Sequence, residues 1–233
     1  MIFWMIHIEY FTFNAFQERC SIAWDENGSC AIFDPGAESE QELASVTGFI
    51  KAKGLSPRCI ILTHAHFDHI YGMSRLCKEY GIPVYMHEKE MFTLTSSNGQ
   101  LCKAFGLPVP QEYPFCGTQD GTLARFISEG DTIDVGNLHF EVIETHGHTP
   151  GGVCYLERSE KVLISGDTLF AGSIGRTDHP GGDYDALMQG IFSKLMALDG
   201  DITVIPGHGP CTTIADERTK NPFLMPFNEP YEE

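Results

Sequence analysis

His64-Ala65-His66-Phe67-Asp68-His69 places three imidazoles and a carboxylate within six residues, directly after the apolar run Cys59-Ile60-Ile61-Leu62. The apolar run reads as a buried strand. In an extended segment, residues two apart point the same way, so His64 and His66 can share one metal ion. Asp68 and His69 lie just beyond, where the pattern turns helical, and they face a neighbouring point in space. The arrangement suits two adjacent ions better than one.

Working outward, three further segments place a metal-type residue in a glycine-flanked loop just after an apolar strand. They are His146-Gly147-His148-Thr149-Pro150-Gly151, Ser165-Gly166-Asp167-Thr168 and Pro206-Gly207-His208-Gly209. Ligands at strand ends are held by a rigid sheet, as catalytic geometry requires. The glycines let the backbone come close to an ion. On this count His64, His66 and His148 hold one ion, Asp68, His69 and His208 the other, and Asp167 bridges them. Imidazole and carboxylate without thiolate suit zinc, iron or manganese. Two divalent ions are therefore expected, with zinc the first expectation. Two such ions lower the pKa of a bound water to about 7 and polarise a carbonyl. Asp68 and Asp167 take the catalytic roles, Asp68 by orienting the attacking hydroxide.

The rest of the chain reads as strands and helices in two loosely mirrored halves. Ile8 to Phe16, Ser21 to Trp24 and Cys30 to Phe33 read as strands, the last two joined by a turn at Glu26-Asn27-Gly28. Ser39-Glu40-Gln41-Glu42 fits a helix capping box, with Gly54 as the stop. A helix is expected over His69 to Tyr80 and a strand over Ile82 to Met86. Residues Thr95 to Gly121 are the least regular, and read as a binding loop or a surface excursion. Strands follow at Leu123 to Ile127, Thr132 to Val135, Leu138 to Glu144, Val153 to Leu156, Lys161 to Ser165 and Ile202 to Ile205. Asp183 caps a helix to Leu198, with Leu187, Ile191, Leu195 and Leu198 as its core stripe. Two sheets packed face to face with helices outside fit this order, in one domain over residues 1–233.

These segments resemble the metallo-β-lactamase superfamily, and within it the glyoxalase II-like hydroxyacylglutathione hydrolases. The resemblance rests on the four histidine- and aspartate-bearing segments above and on Asp34-Pro35-Gly36 at a strand end. It implies an α/β fold of the four-layer αββα sandwich type, with a dinuclear site at one edge of the sheets. It also implies that His148 is a ligand and His146 is not. Asp167 stands where many true β-lactamases of this fold carry a cysteine, which disfavours antibiotic hydrolysis. Thr168 to Asp178 looks like the short bacterial glyoxalase II type. Related persulfide dioxygenases share the Gly-Arg-Thr-Asp part and use one iron, held at positions matching His64, His148 and Asp167. Longer glyoxalase II enzymes carry a C-terminal helical domain that grips glutathione. None is expected here, where the chain ends in the acidic Asn228-Glu229-Pro230-Tyr231-Glu232-Glu233. The expected substrate is a small-molecule thioester such as S-lactoylglutathione, with the mononuclear iron dioxygenase as the rival. A hydrolase of another ester, lactone or phosphodiester is a further alternative, and a silent metal-binding protein a third class.

Arg176 is the candidate substrate clamp, since a guanidinium suits a carboxylate, with a structural salt bridge as its competitor. His7, His87, His139 and His179 have no partners at ligand spacing and read mostly as surface or satisfied histidines, and His146 either tunes the site or packs beside it. Composition bounds the partners. A net charge of −17, with 15 basic against 32 acidic residues, argues against nucleic acid. The apolar start, Met1 to Ile6, is too short for a membrane span and lacks a signal peptide's basic region. Eight cysteines, none in a C-x-x-C pair, several inside apolar runs, point to a reducing cytoplasm.

Overall fold

A computed structural model describes residues 5–107 and 124–225. The first half forms a six-stranded sheet in the order β1 (His7–Phe13), β2 (Glu18–Trp24), β3 (Ser29–Phe33), β4 (Ser56–Ile61), β5 (Val84–His87) and β6 (Ala124–Ile127). The first three are antiparallel, and β3 to β6 run parallel. The second half runs through β7 (Thr132–Val135), β8 (Leu138–Glu144), β9 (Val153–Glu157), β10 (Val162–Gly166), the small hairpin β11 (Leu169–Phe170) and β12 (Ser173–Ile174), then β13 (Thr203–Pro206) and β14 (Thr212–Thr213). Its sheet is ordered β14-β13-β10-β9-β8-β7.

Side-chain alternation builds the layers. Along β3, Ala31 and Phe33 point to a core shared with Phe140, Val142 and Tyr155 of the other sheet. Cys30 and Ile32 point the opposite way, onto Leu43, Val46 and Leu76. Along β9 and β10, Val153, Tyr155, Val162 and Ile164 join the inter-sheet core, while Cys154, Leu156 and Leu163 meet Leu187, Ile191 and Leu195. Strands covered on both faces read as continuous apolar runs. The result is helix, sheet, sheet, helix: the expected αββα sandwich.

The helix α1 (Glu40–Lys53) starts at the predicted capping box, with Ser39 and Glu42 exchanging bonds, and stops at Gly54 in the left-handed conformation. The expected helix over His69 to Tyr80 is instead two, α2 (Phe67–Ile70) and α3 (Met73–Tyr80). The break falls where the Gly72 N–H donates to Pro35 O at 2.8 Å and the chain docks so closely that a Cβ would lie 3.1 Å from that same oxygen. The irregular reading from Thr95 is wrong as far as Phe105. There α4 (Glu90–Phe92), a π-helical turn (Thr93–Ser97) and α5 (Asn98–Phe105) run on as one helical segment. Residues 108–121 of that reading lie outside the described residues. The helix capped by Asp183 is α6 (Tyr184–Gly190), continued by a π-helical turn over Ile191–Leu195, and it ends before Leu198. The last helix is α7 (Ile214–Lys220). The first strand stops at Phe13, because Asn14 and Gln17 turn the chain with positive φ. None of the described helices is long and apolar enough to cross a membrane.

Candidate metal centre

β3, β4, β8, β10 and β13 all end at one edge of the sandwich, and the chemistry-bearing loops leave from those ends. Backbone bonds tie the loops together: Val153 N donates to Thr63 O at 3.0 Å, and Gly207 N to Gly166 O at 2.9 Å. Gly207 must be a glycine, since a Cβ there would collide with Asp167 Oδ1.

All seven predicted ligands converge here. His64, His66 and His148 form one cluster and Asp68, His69 and His208 another, with the ligand atoms of each within 4.8 Å of one another. Asp167 stands between them. Its Oδ2 lies 3.5 Å from His148 Nε2 and 3.4 Å from His208 Nε2, and its Oδ1 lies 3.6 Å from His69 Nε2. Asp68 Oδ2 lies 3.7 and 3.5 Å from the Nε2 atoms of His69 and His208. All but His208 and Asp167 are buried residues.

The outer nitrogens of these rings decide what the inner ones offer. His148 Nδ1 faces the Arg176 carbonyl at 2.9 Å, and His208 Nδ1 faces the Phe16 carbonyl at 3.0 Å. A carbonyl can only accept, so each Nδ1 carries a proton and each Nε2 is the nitrogen turned to the cluster. Asp34 Oδ2 faces His69 Nδ1 at 3.3 Å. Thr63 gives its hydroxyl proton to Asp34 Oδ2 at 2.6 Å, so its oxygen accepts from His64 Nδ1 at 3.1 Å. His64 Nε2 is then a buried lone pair without a partner. His69 Nε2 and His208 Nε2 face each other across 3.2 Å. His148 Nε2 meets His66 Nδ1 at 2.9 Å. Ring nitrogens crowded face to face, beside the partnerless His64 Nε2 and Asp167 Oδ1, are what a cation resolves. The donor set therefore fits two metal ions.

The electrostatics divide the two clusters. Burial pushes His64 and His66 well below the usual imidazole range and His148 down to about 4, so all three are neutral at pH 7. For His69, burial lowers the pKa but the Asp167 and Asp68 carboxylates outweigh it and hold the ring well up. Burial raises Asp68. It also opposes ionisation of Asp167, but His69 and His208 outweigh it and keep that carboxylate charged.

The remaining histidines are satisfied or at the surface, and one of them also reaches the cleft. His179 is not isolated: its Nε2 lies 3.4 Å from His148 Nδ1, and it lines the cleft beside His66. His87 and His146 both hold Glu144, at 3.1 Å to Oε1 and Oε2. Here the polarity is reversed. The Lys89 N–H donates to His87 Nδ1 at 3.1 Å, so His87 Nε2 carries a proton and donates it to the carboxylate. That cluster is a hydrogen-bonded triad. His7 stacks on Trp24, and exposed His139 pairs with Asp134. Arg176 realises both readings in part: its guanidinium holds Asp178 at 2.7 and 3.0 Å, and the residue also lines the cleft.

Sequence reasoning missed the supporting shell. Glu18 is fully buried 4.0 Å from His69 Nδ1, and burial pushes its carboxyl well up. Glu90 and Asn98 hold the 65–67 backbone from the helical segment. None carries a motif, and their separation in the chain leaves no signal.

The fold and this site meet in one comparison: the Metallo-beta-lactamase superfamily model matches residues 14–208. The chain belongs to the metallo-β-lactamase superfamily. Hydroxyacylglutathione hydrolase GloC of Haemophilus influenzae is 36% identical over 225 residues, covering 94% of this chain and 98% of its own. Among superfamily structures, BLEG-1, a B3 metallo-β-lactamase, superposes with a TM-score of 0.82 at 34% identity, covering 94% and 99% of the two chains. TTHA1623 in a di-iron-bound form gives 0.78 at 33% identity, covering 93% and 100%. The protein is a metallo-hydrolase by this membership, with histidine clusters suited to a dinuclear site.

Proposed function

We propose that the protein hydrolyses hydroxyacyl thioesters of the S-lactoylglutathione kind. The observation that carries this is the pair of three-residue clusters with Asp167 between them at the floor of a cleft, in a chain 36% identical to a hydroxyacylglutathione hydrolase. His64, His66 and His148 would hold one ion and Asp68, His69 and His208 the other, with Asp167 shared and zinc the expected metal. When bound, such ions supply Lewis acidity toward the carbonyl and acidify the attacking water. The chain's own residues do the rest. Asp68 lies on the cleft wall and orients the water by accepting its hydrogen bond. Arg176, at the cleft mouth, steers the carboxylate-bearing part of the substrate. The seven described cysteines form no disulfide, which accords with a cytoplasmic enzyme.

The test is alanine replacement of Asp68 and His208, with elemental analysis of each protein. Loss of one metal equivalent and most S-lactoylglutathione hydrolysis is expected. Unchanged turnover rules out the dinuclear assignment. A single iron with oxygen uptake on glutathione persulfide would favour the dioxygenase. A nitrocefin arm covers the likeness to BLEG-1, and preferred lactam turnover would replace the thioester reading.

A further inference from the structure

The cleft over the clusters has two lobes, which share His148, Asp167, Arg176 and His208. The larger, about 400 Å³, is lined by Phe170, Ala171, Ile174 and Pro210. The smaller, about 170 Å³, is walled by Phe16, Phe67, Leu101 and Phe105, with His66 and Asp68 at its inner end. We propose that the smaller lobe is an acyl pocket, and that the preferred substrates are thioesters whose acyl part carries a benzene-sized apolar group. This deepens the thioesterase reading and rests on it for the reaction.

Size and chemistry both point there. A cavity of about 150 Å³ lined by Leu, Ile and Phe binds benzene. The three rings are arranged edge to face, Phe16–Phe67 at 5.1 Å, Phe16–Phe105 at 5.6 Å and Phe67–Phe105 at 6.4 Å. A phenyl group entering them extends the same packing. Phe105 is 49% exposed although it belongs to this wall, so apolar surface there is left for a ligand to cover. A lactoyl group would leave most of the aromatic side of the lobe uncovered. The larger lobe takes the bulkier thiol part. Arg176 is the only Lys or Arg lining either lobe among the described residues, and Asp178 already holds its guanidinium. In the reaction the water oxygen bonds to the acyl carbon, the carbon–sulfur bond breaks, and the thiol and an arylalkanoate leave.

The experiment uses the metal-loaded protein with acetyl and phenylacetyl thioesters of N-acetylcysteamine, beside S-lactoylglutathione. The phenylacetyl ester is expected to exceed the acetyl ester in kcat/KM by about tenfold or more. Phe105→Ala should cut that ratio severalfold, and Phe105→Leu should keep most of it. Hydrolysis of S-lactoylglutathione with a ratio near one overturns the acyl pocket and leaves the thioesterase reading standing. If no thioester is cleaved, that reading fails and calorimetry decides the pocket. Phenylacetate binding that acetate does not share, weakened by Phe105→Ala, sustains it, and equal or absent binding overturns it.

Discussion

Glu90 Oε2 accepts the backbone N–H of Ala65 at 2.7 Å, in the middle of the His64-Ala65-His66 loop. Its other oxygen accepts the N–H of Gly151 at 2.8 Å, at the end of the loop that carries His148. One fully buried carboxylate thus fixes the relative position of two loops that together hold the first cluster. Replacing it by alanine strands both donors, at roughly 1–3 kcal/mol for each. Glu90→Ala is expected to lower the urea midpoint by that order and to lose metal first from the His64, His66 and His148 cluster. Glu90→Gln keeps one acceptor and should fall between. Titrating metal into each variant checks this, and equal weakening of both sites would refute the clamp.

The same pair marks where sequence reading stops. The seven ligands were legible because each follows an apolar strand, so that their convergence is a property of sheet edges. The layering was legible because β4, β9 and β10 are apolar on both faces. The helical segment from Glu90 to Phe105 was not. Ser97 and Asn98 read as loop residues, yet both are fully buried. Asn98 spends its amide on Ala65 O and Phe67 N, and Ser97 on Pro180 O. Their polarity serves loops distant in the chain, which no local pattern reveals. The partner of His87 was hidden for a like reason, since Glu144 comes from the other sheet.

Asp34 is a second such support, and its removal has a distinguishable signature. Its two oxygens take the Thr63 N–H at 2.8 Å and the Thr63 hydroxyl at 2.6 Å, and Oδ2 also faces His69 Nδ1. Asp34→Ala should free the tautomers of both His64 and His69. Outer-shell partners of this kind are worth about 10–100-fold in metal affinity. A competition titration with a chromophoric chelator should therefore show both sites weakened, unlike the Glu90 variants. Affinity unchanged at both sites would show that the rings hold their orientation without Asp34.

Glu42 offers a pH test remote from the metals. Its carboxylate closes the α1 capping box and also takes the N–H groups of Asn14 and Glu38. Burial opposes ionisation, but these bonds outweigh it and hold the pKa below the usual glutamate value. A carboxylate lowered on folding contributes stability above its unfolded pKa, and that contribution disappears as pH falls through the folded value. Because the group is largely solvent-accessible, the effect is about 0.5 kcal/mol. Glu42→Gln preserves the box without the charge. Its deficit in chemical denaturation should be present at pH 7 and vanish below about pH 4. A deficit that grows on acidification would contradict the assignment.

Asp167 provides the sharpest test of the shared site. Asp34, Asp68, Asp167 and Glu18 crowd one buried region, and their carboxylates repel one another: Asp34, Asp68 and Asp167 each push the Glu18 pKa up, and Asp167 pushes up that of Asp68. Removing the cations should leave that repulsion uncompensated. A chelator is therefore expected to lower the Tm of the parent protein by several degrees, as the loss of a tight ligand from the native state requires. In Asp167→Asn the repulsion is smaller and the bridge weaker, so the chelator-induced drop should shrink while the metal-free Tm rises. His208→Ala leaves the carboxylates in place and should show only the loss of one ion. If Asp167→Asn instead kept both metals at parental affinity, the two clusters would be independent sites rather than one centre.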